Sequence, residues 1–238
     1  SLSIDVYRST IKDMIAYSPI TPYSGFSTYI DNSGEMKNTG GDVAINARVF
    51  NLPSLKWDLG VTVSHYKNKI TELKGDRYLT NIADGTILTE VGRPMGVFYG
   101  YRTNGVYATA EEAKADGLHV RSGLADVQFE GGDIRFVNMN DDKYINEEDM
   151  TVIGDPNPDI YGGLNTRILW KNFTFSARFT YSLGNDVYNY TRRTLESMSG
   201  MENQTQAVLN RWRAEGQVTS MPKVAYGDPM GNARFSDR

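Results

Sequence analysis

Apolar residues recur at every second position over long stretches of this chain, and this period of two limits what the chain can fold into. Between Trp57 and Val63 apolar residues alternate with polar or small ones, and the same holds for Val43–Val49 and Phe173–Tyr181. Successive side chains of a β-strand point to opposite faces, whereas a helix repeats every 3.6 residues. The pattern predicts an all-β fold whose strands carry one apolar and one polar face.

Short turn signals separate these strands. Asn51–Ser54 predicts a tight hairpin between the first two strands, and Trp170–Asn172 predicts another before Phe173. Weaker strands are expected at Ile4–Ile15 and Gly96–Tyr107. Consecutive strands joined by such short turns run antiparallel, so the sequence predicts an antiparallel meander.

The segments between the strands are longer and less regular. Lys74–Val91 and Ala108–Gly132 exceed the usual length of a hairpin turn, so we expect them to be irregular. Within the second, Thr109 begins a stretch rich in Glu and Ala, which predicts a short capped helix ending near Ala115. A second helix is expected within Leu195–Glu215, and the final residues, Ala225–Arg238, are expected to form a loop.

Composition excludes several classes of protein. The 25 basic and 29 acidic residues give a net charge of −4 without a basic stripe, so a nucleic-acid partner is not expected. The chain has no cysteine, which removes disulfides and thiolate metal sites, and it shows no signal-peptide pattern. Its longest uncharged run, Met14–Ile30, contains two prolines and cannot form a spanning helix. The composition does not exclude a membrane β-barrel, whose strands cross the bilayer with about 9–11 residues each.

Two architectures fit the alternating strands: a soluble β-sandwich and part of a membrane β-barrel. The aromatic-rich apolar faces and the contrast between short turns and long loops favour the barrel. Arg178 lies between Ser176 and Thr180 on the polar face of its strand. A single arginine would be isolated in the dry core of a sandwich, but it is unremarkable in a water-filled lumen.

No catalytic constellation is recognisable. His65 and His119 are the only histidines, and His65 falls on the apolar face of its strand. The sequence contains no zinc-binding His-Glu-x-x-His, no phosphate-binding glycine loop and no nucleophile elbow. We therefore do not expect an enzyme.

One segment, Asn138–Asp149, has the spacing of a twelve-residue calcium loop. Such loops supply oxygen ligands from positions one, three, five, seven, nine and twelve, the seventh through its backbone carbonyl. Asn at position one lacks the usual charge, and Lys143 stands at position six, where glycine is usual. Calcium is the one cofactor that this pattern suggests; the alternative is an Asn- and Asp-rich turn held by side-chain to backbone hydrogen bonds. The candidate ligands are Asn138, Asn140, Asp142, Tyr144, Asn146 and Asp149.

Several segments, in the same order along the chain, resemble the SusC/RagA-like TonB-dependent outer-membrane transporters. Gly92–Tyr101 is similar to that family's G-x-P-x-x-x-F-Y-G-Y segment, and Ile153–Gly163 is similar to I-G-D-P-x-P-x-x-x-G-G. Gly132–Phe136 and the calcium-like loop resemble G-D-I-K-F followed by D-x-N-x-D-G-x-I-x-x-x-D. Further similar segments are Asn104–Tyr107, Gly184–Asn189, Asn210–Trp212 and Ser236–Arg238.

The resemblance implies that residues 1–238 are part of a barrel of about 22 strands, from its C-terminal half. The plug domain, the part that contacts TonB and the last strands would lie outside these residues. Residues 133–163 would form an extracellular loop that contains the calcium-like segment. The implied location is the outer membrane of a Gram-negative bacterium, and the implied partners are membrane lipid, a SusD-like lipoprotein and the TonB energy-transducing complex.

The function that the resemblance implies is active import of glycans or other large nutrients. Two alternatives from other classes remain open at this stage: a soluble carbohydrate-binding β-module and a surface adhesin. Exposed aromatic residues such as Tyr78 and Tyr99 would stack on sugar rings in the first alternative. Detergent dependence separates a barrel from a soluble module, and growth on a polymer separates an importer from an adhesin.

Overall fold

The computed structural model describes residues 1–20, 23, 25, 28–75, 77–123 and 125–238. Its strands are β1 (Leu2–Pro19), β2 (Thr28–Leu52), β3 (Leu55–Glu72), β4 (Arg77–Ile82), β5 (Gly85–Glu90), β6 (Val97–Gly100), β7 (Thr103–Val106), β8 (His119–Ser122), β9 (Ala125–Gln128), β10 (Ile134–Phe136), β11 (Thr151–Gly154), β12 (Ile160–Trp170) and β13 (Phe173–Leu183). The described residues also form two short helices, α1 (Ala110–Asp116) and α2 (Tyr190–Glu196), and 3-10 turns at Glu147–Asp149 and Gln206–Asn210.

The chain divides into two compact units. The first, called here the sheet unit, comprises Ser1–Thr80, Leu88–Val97 and Asp155–Asp186. The second, called the loop unit, comprises Asn81–Ile87, Phe98–Gly154 and Val187–Arg238. No helix among the described residues is long and apolar enough to cross a membrane.

The sheet unit is built on five long antiparallel strands in the order β1-β2-β3-β12-β13. The all-β antiparallel prediction is therefore confirmed. The meander is interrupted once, because the chain leaves after β3 and returns at β12. The outer edges of β1 and β13 have no strand partner among the described residues, so backbone N–H and C=O groups along both edges remain available for pairing.

Both predicted turns are present. β2 ends at Leu52 and β3 begins at Leu55, while Lys171 and Asn172 connect β12 to β13. Lys171 adopts a left-handed backbone with φ of 53°, which lets the two strands reverse direction within two residues. Trp170 pairs in register with Leu55, so the two turns lie at the same end of the sheet.

The predicted weaker strands exist with different limits. β1 runs from Leu2 to Pro19 and is therefore longer at both ends than the expected Ile4–Ile15. Within the uncharged run Met14–Ile30, residues 21, 22, 24, 26 and 27 lie outside the described part of the chain. The expected strand at Gly96–Tyr107 is two strands, β6 and β7. Tyr101 and Arg102 separate them, and β6 pairs with β11 while β7 pairs with β10.

The loop unit has a core of its own. Nine buried residues from α1, β8, β10 and the connecting segments of the loop unit form one apolar cluster: Tyr107, Ala113, Leu118, Val120, Phe129, Ile134, Phe136, Ile145 and Met230. Thr109 caps α1 by accepting a hydrogen bond from the Glu112 N–H, as predicted, and Gly117 ends the helix with φ of 64°.

The expectation of irregular structure was wrong for the strand residues of Lys74–Val91 and Ala108–Gly132, whereas the helix predicted within the second segment is present. The first holds β4 and β5, and the second holds α1 and the β8–β9 hairpin; Asp76 and Leu124 lie outside the described residues. Only a 3-10 turn, Gln206–Asn210, and the end of α2 fall within Leu195–Glu215, where a second helix was expected. The last residues form turns, as expected.

Candidate functional site

The register of the five-stranded sheet aligns apolar residues from all five strands on one face. Leu2, Ile45, Val61, Leu164 and Phe179 form one continuous row across β1, β2, β3, β12 and β13. Leu2 is 64% exposed, Ile45 48% and Phe179 59%, so none of the residues that the structure describes covers this apolar face. An uncovered apolar surface across five strands would be unfavourable in water, which indicates that another apolar medium or surface covers it.

Aromatic residues gather on that face near the two short turns. The rings of Phe50 and Trp57 lie 5.8 Å apart, and those of Trp170 and Phe173 stack at 6.4 Å. The Trp57 indole N–H donates to the Thr166 hydroxyl over 2.8 Å, which satisfies both polar groups. A band of aromatic residues at the end of an apolar strand face is typical of the boundary between lipid and water in membrane barrels.

The opposite face of the same sheet is polar and charged. Asp58 lies between Arg48 of β2 and Arg167 of β12 in the cross-strand register, and it forms an ion pair with Arg48 at 2.7 Å. Two residues further along β12, on the same face, Asn165 lies opposite Arg178. The predicted division of β13 into a phenylalanine face and an arginine-bearing face is confirmed, because Phe175 pairs with Ile168 and Ser176 pairs with Arg167.

A polar cluster that the sequence analysis missed fixes two of the family-like segments to β3. The Asn68 side chain accepts from the Met95 N–H at 2.6 Å and donates to the Asn157 side-chain oxygen at 2.7 Å. Asn157 in turn donates to the Met95 carbonyl and to Asp155. Asn68 is almost fully buried. Its position on the polar side of β3, between two lysines, gave no sign of burial.

His65 behaves as a structural residue. Its Nδ1 lies 2.5 Å from the Asp159 backbone oxygen, so the ring ties β3 to the residue before β12. His119 of the loop unit packs at 6.0 Å from the Tyr144 ring, and its backbone bonds to Lys143 and Ile145. Among the described residues, neither histidine side chain forms a hydrogen bond with a carboxylate or a hydroxyl.

In the loop unit, the predicted calcium-like residues lie together on one compact loop, Asn138–Asp149, called here the Asx loop. Its short side chains turn the backbone: Asn138 accepts from the Asp141 N–H at 2.8 Å, Asp142 from Tyr144 at 2.7 Å and Asn146 from Glu148 at 2.7 Å. These are Asx turns.

Two further features fix the shape of the Asx loop. Ile145 is 2% exposed and fills the core of the loop unit, which anchors the middle of the loop. Lys143, at the position where glycine is usual, adopts φ of 69°, so the left-handed backbone forms although the residue carries a Cβ. The Tyr144 hydroxyl donates to the Asp126 carboxylate at 3.0 Å, which fixes the same stretch from the outside.

Beside this loop lies an open cleft of about 540 Å³ whose walls carry both charges. Arg121 stacks over the Tyr144 ring at 5.5 Å, and Arg234 stacks over Tyr101 at 5.2 Å. Burial raises the pKa of the Tyr101 hydroxyl, and the nearby Arg234 opposes that rise. No group of three or more His, Cys, Asp or Glu side chains within residues 1–20, 23, 25, 28–75, 77–123 and 125–238 is arranged to hold a metal ion.

A five-stranded antiparallel sheet with one apolar face, one charged face, an aromatic band and two open edges has the structure of a segment of membrane β-barrel wall. Comparison with known proteins agrees. The family described as "TonB dependent receptor-like, beta-barrel" matches residues 1–146. This chain belongs to the TonB-dependent receptor family, whose members are outer-membrane β-barrel proteins of Gram-negative bacteria.

Curated relatives match over almost the whole chain. TonB-dependent receptor P3 of Formosa agariphila is 32% identical over 241 residues, covering 98% of this chain and 23% of the relative. TonB-dependent receptor P26 of the same organism is 29% identical, with 98% and 24% covered. TonB-dependent receptor SusC of Bacteroides thetaiotaomicron is 25% identical, with 78% and 18% covered. The chain thus spans about a quarter of the length of the first two relatives.

Solved structures agree on the fold. The structure titled as the RagAB peptide transporter superposes with a TM-score of 0.71 at 23% identity, covering 96% of this chain and 24% of that one. The RagAB peptide importer in its "closed-closed" state gives 0.70 at 24% identity, with 95% and 24% covered. The predicted resemblance to SusC/RagA-like transporters is confirmed.

Proposed function

We propose that this chain forms part of the barrel wall of an outer-membrane importer that takes up glycans or other large nutrients with energy supplied through TonB. The observation that carries the proposal is the row Leu2–Ile45–Val61–Leu164–Phe179, because it gives one sheet an apolar face across all five strands. Lipid would cover this face, and the face bearing Arg48, Asp58 and Arg167 would line a wet lumen.

The orientation follows from the turns and the aromatic band. In outer-membrane barrels, short turns lie on the periplasmic side and long loops lie outside. Asn51–Ser54 and Trp170–Asn172 would therefore be periplasmic. The long excursion between β3 and β12, which contains the Asx loop, would emerge on the cell surface, together with the residues after β13.

A SusD-like surface lipoprotein is the proposed partner at the cell surface, and the TonB complex is the proposed energy source in the periplasm. The relative named SusC and the structural neighbour titled RagAB support the first of these. TonB contact would be made by a part of the receptor outside residues 1–238.

The proposal is tested with the full-length receptor in its native membrane. Cells with and without its gene are given labelled oligosaccharides in one arm and labelled peptides of similar mass in the other. Gene-dependent oligosaccharide uptake that stops when a protonophore collapses the energy supply supports the proposal. Uptake of peptides alone contradicts the glycan assignment, and attachment to a polymer without uptake favours an adhesin.

The lipoprotein partner is tested separately. An affinity-tagged full-length receptor is purified in mild detergent, and the co-purifying proteins are identified by mass spectrometry. A stoichiometric SusD-like lipoprotein supports the partnership. A receptor that purifies alone but still imports oligosaccharide would contradict the lipoprotein assignment while leaving the import proposal intact.

A further inference from the structure

The Asx loop has the spacing of a calcium site, but its polar groups already satisfy one another. We infer that Asn138–Asp149 is a self-closed turn that folds without a cation, so that the loop unit keeps its structure independently of calcium. The inference rests on three features of the loop, and it does not depend on what the full-length receptor transports.

The first feature is the last carboxylate. In a twelve-residue calcium loop, the acidic residue at position twelve binds the ion with both oxygens. Here Asp149 is completely buried, and its two oxygens accept from the Met139 N–H at 2.7 Å and from the Asn146 N–H at 2.9 Å. These bonds join the first and last turns of the loop, which is the task a bound cation performs elsewhere.

The second feature is the orientation of two side-chain amides. Asn140 directs its Nδ2 to the Asp142 Oδ2 and to the Glu148 Oε2, both at 3.1 Å, and Asn146 directs its Nδ2 to the same Asp142 oxygen at 3.4 Å. The Asp142 carboxylate is therefore surrounded by amide N–H donors, whereas a calcium site would have oxygen ligands at these positions. Turning the Asn140 amide would break its Oδ1 bond to the Asp142 N–H, and turning the Asn146 amide would break its bond to Glu148.

The third feature is Lys143. Its ammonium group donates to the Asp116 backbone carbonyl at 3.3 Å, which ties the loop to the end of α1. The neighbouring backbone also bonds to β8, because His119 donates to the Lys143 carbonyl and accepts from the Ile145 N–H, both at 2.9 Å. The loop is therefore held from outside by α1 and β8 as well as from within.

The test uses the full-length receptor in detergent and two loop variants. Thermal unfolding midpoints are measured in calcium and in the calcium chelator EGTA for the wild type, Asp142→Asn and Asp149→Asn. Asp142→Asn keeps the oxygen that accepts from Tyr144. It removes the charge that a cation would need, and also the second oxygen, to which the Asn140 and Asn146 amides donate. Asp149→Asn removes one of the two acceptors that close the loop.

If the loop is self-closed, the difference between the unfolding midpoints in calcium and in EGTA is the same for the wild type and for Asp142→Asn, whether or not that difference is zero. A self-closed loop also predicts that Asp149→Asn has a lower midpoint than the wild type by the same amount in both buffers. Comparison between variants separates the loop from any calcium site elsewhere in the receptor. A calcium-dependent rise in the wild-type midpoint that disappears in Asp142→Asn would overturn the inference.

Discussion

Asn232 donates a hydrogen bond from its side-chain amide to the Asp133 carboxylate over 2.9 Å, and the two residues lie 99 positions apart in the chain. Both side chains are buried. The Asn232 oxygen also accepts from the Ile134 N–H at 2.8 Å, while Lys223 lies 3.2 Å from the other Asp133 oxygen. One buried polar cluster therefore fastens the end of the chain to the start of β10.

Replacing Asn232 with Ala should destabilise the loop unit by about 1–3 kcal/mol, the usual cost of leaving a buried polar group without its partner. The Asp133 oxygen and the Ile134 N–H would both lose a partner. The thermal unfolding midpoint of the full-length receptor measures the effect. Asn203→Ala is the matched control, since Asn203 is exposed, and an equal loss in both variants would contradict the role of the cluster.

Alkaline pH should weaken the loop unit through Tyr107. Burial raises the pKa of the Tyr107 hydroxyl, and the Asp116 carboxylate that accepts its hydrogen bond at 3.1 Å adds to the rise. Because the folded-state pKa lies above the unfolded value of about 10, this group's contribution to stability is complete below about pH 10. The contribution is lost as the pH rises toward the folded-state pKa.

The check is a comparison of unfolding midpoints at about pH 8 and about pH 11, across the unfolded tyrosine pKa. The midpoint of the wild type should fall more over this interval than that of Tyr107→Phe, which cannot ionise. Equal falls would show that Tyr107 does not contribute to the alkaline sensitivity.

Adjacent glycines at the start of β12 should differ sharply in their tolerance of a side chain. A Cβ on Gly162 would overlap the Thr62 backbone carbonyl and approach the Tyr181 hydroxyl, which itself donates to that carbonyl at 3.0 Å. A Cβ on Gly163 would meet the Phe179 carbonyl at 3.3 Å, a close contact that a small shift relieves.

Gly162→Ala should therefore cost about 1–3 kcal/mol through overpacking between β3 and β12, and Gly163→Ala should cost less. The amount of folded, heat-modifiable receptor in the outer membrane reports the difference. Equal assembly of the two variants would mean that the strands are not as close at Gly162 as the structure has them.

The polar cluster on β3 should control the local order of the segment before β6. Asn68→Ala removes the oxygen that accepts from the Met95 N–H and the amide that donates to Asn157. Hydrogen exchange at the Met95 amide should become faster, while exchange in β13 should not change. Equal acceleration of hydrogen exchange at the Met95 amide and in β13 would indicate general destabilisation, and would contradict a local role of Asn68.

Much of the sheet could be predicted from sequence, because each strand shows its face assignment in its own alternation. The pairing of Phe175 with Ile168 and of Ser176 with Arg167 follows once the turn at Lys171 is recognised. The β4–β5 hairpin was missed for a physical reason. Its turn holds Ala83 and Asp84 at φ of 48° and 58°, and alanine gives no local sign of a left-handed backbone.

The loop unit was harder to predict because its order depends on distant partners. Nothing near Asn232 in the sequence indicates that it pairs with Asp133, and Asn68 sits between lysines that suggest exposure. The Asx loop shows the converse case. The spacing of its residues correctly predicted which side chains lie together. It could not predict whether Asn140 and Asn146 direct the oxygen or the nitrogen of the side-chain amide toward Asp142.

The central claim is that the apolar face of the five-stranded sheet contacts lipid and that its polar face contacts water. Residues 1–238 contain no cysteine, so Phe175→Cys and Ser176→Cys place single thiols of this segment on opposite faces of β13. Each full-length variant is assembled in outer membranes and labelled with a bilayer-phase thiol probe and with a water-soluble maleimide. We expect the bilayer-phase probe to label Phe175→Cys and the water-soluble maleimide to label Ser176→Cys, and the reverse pattern would contradict this assignment of the two faces.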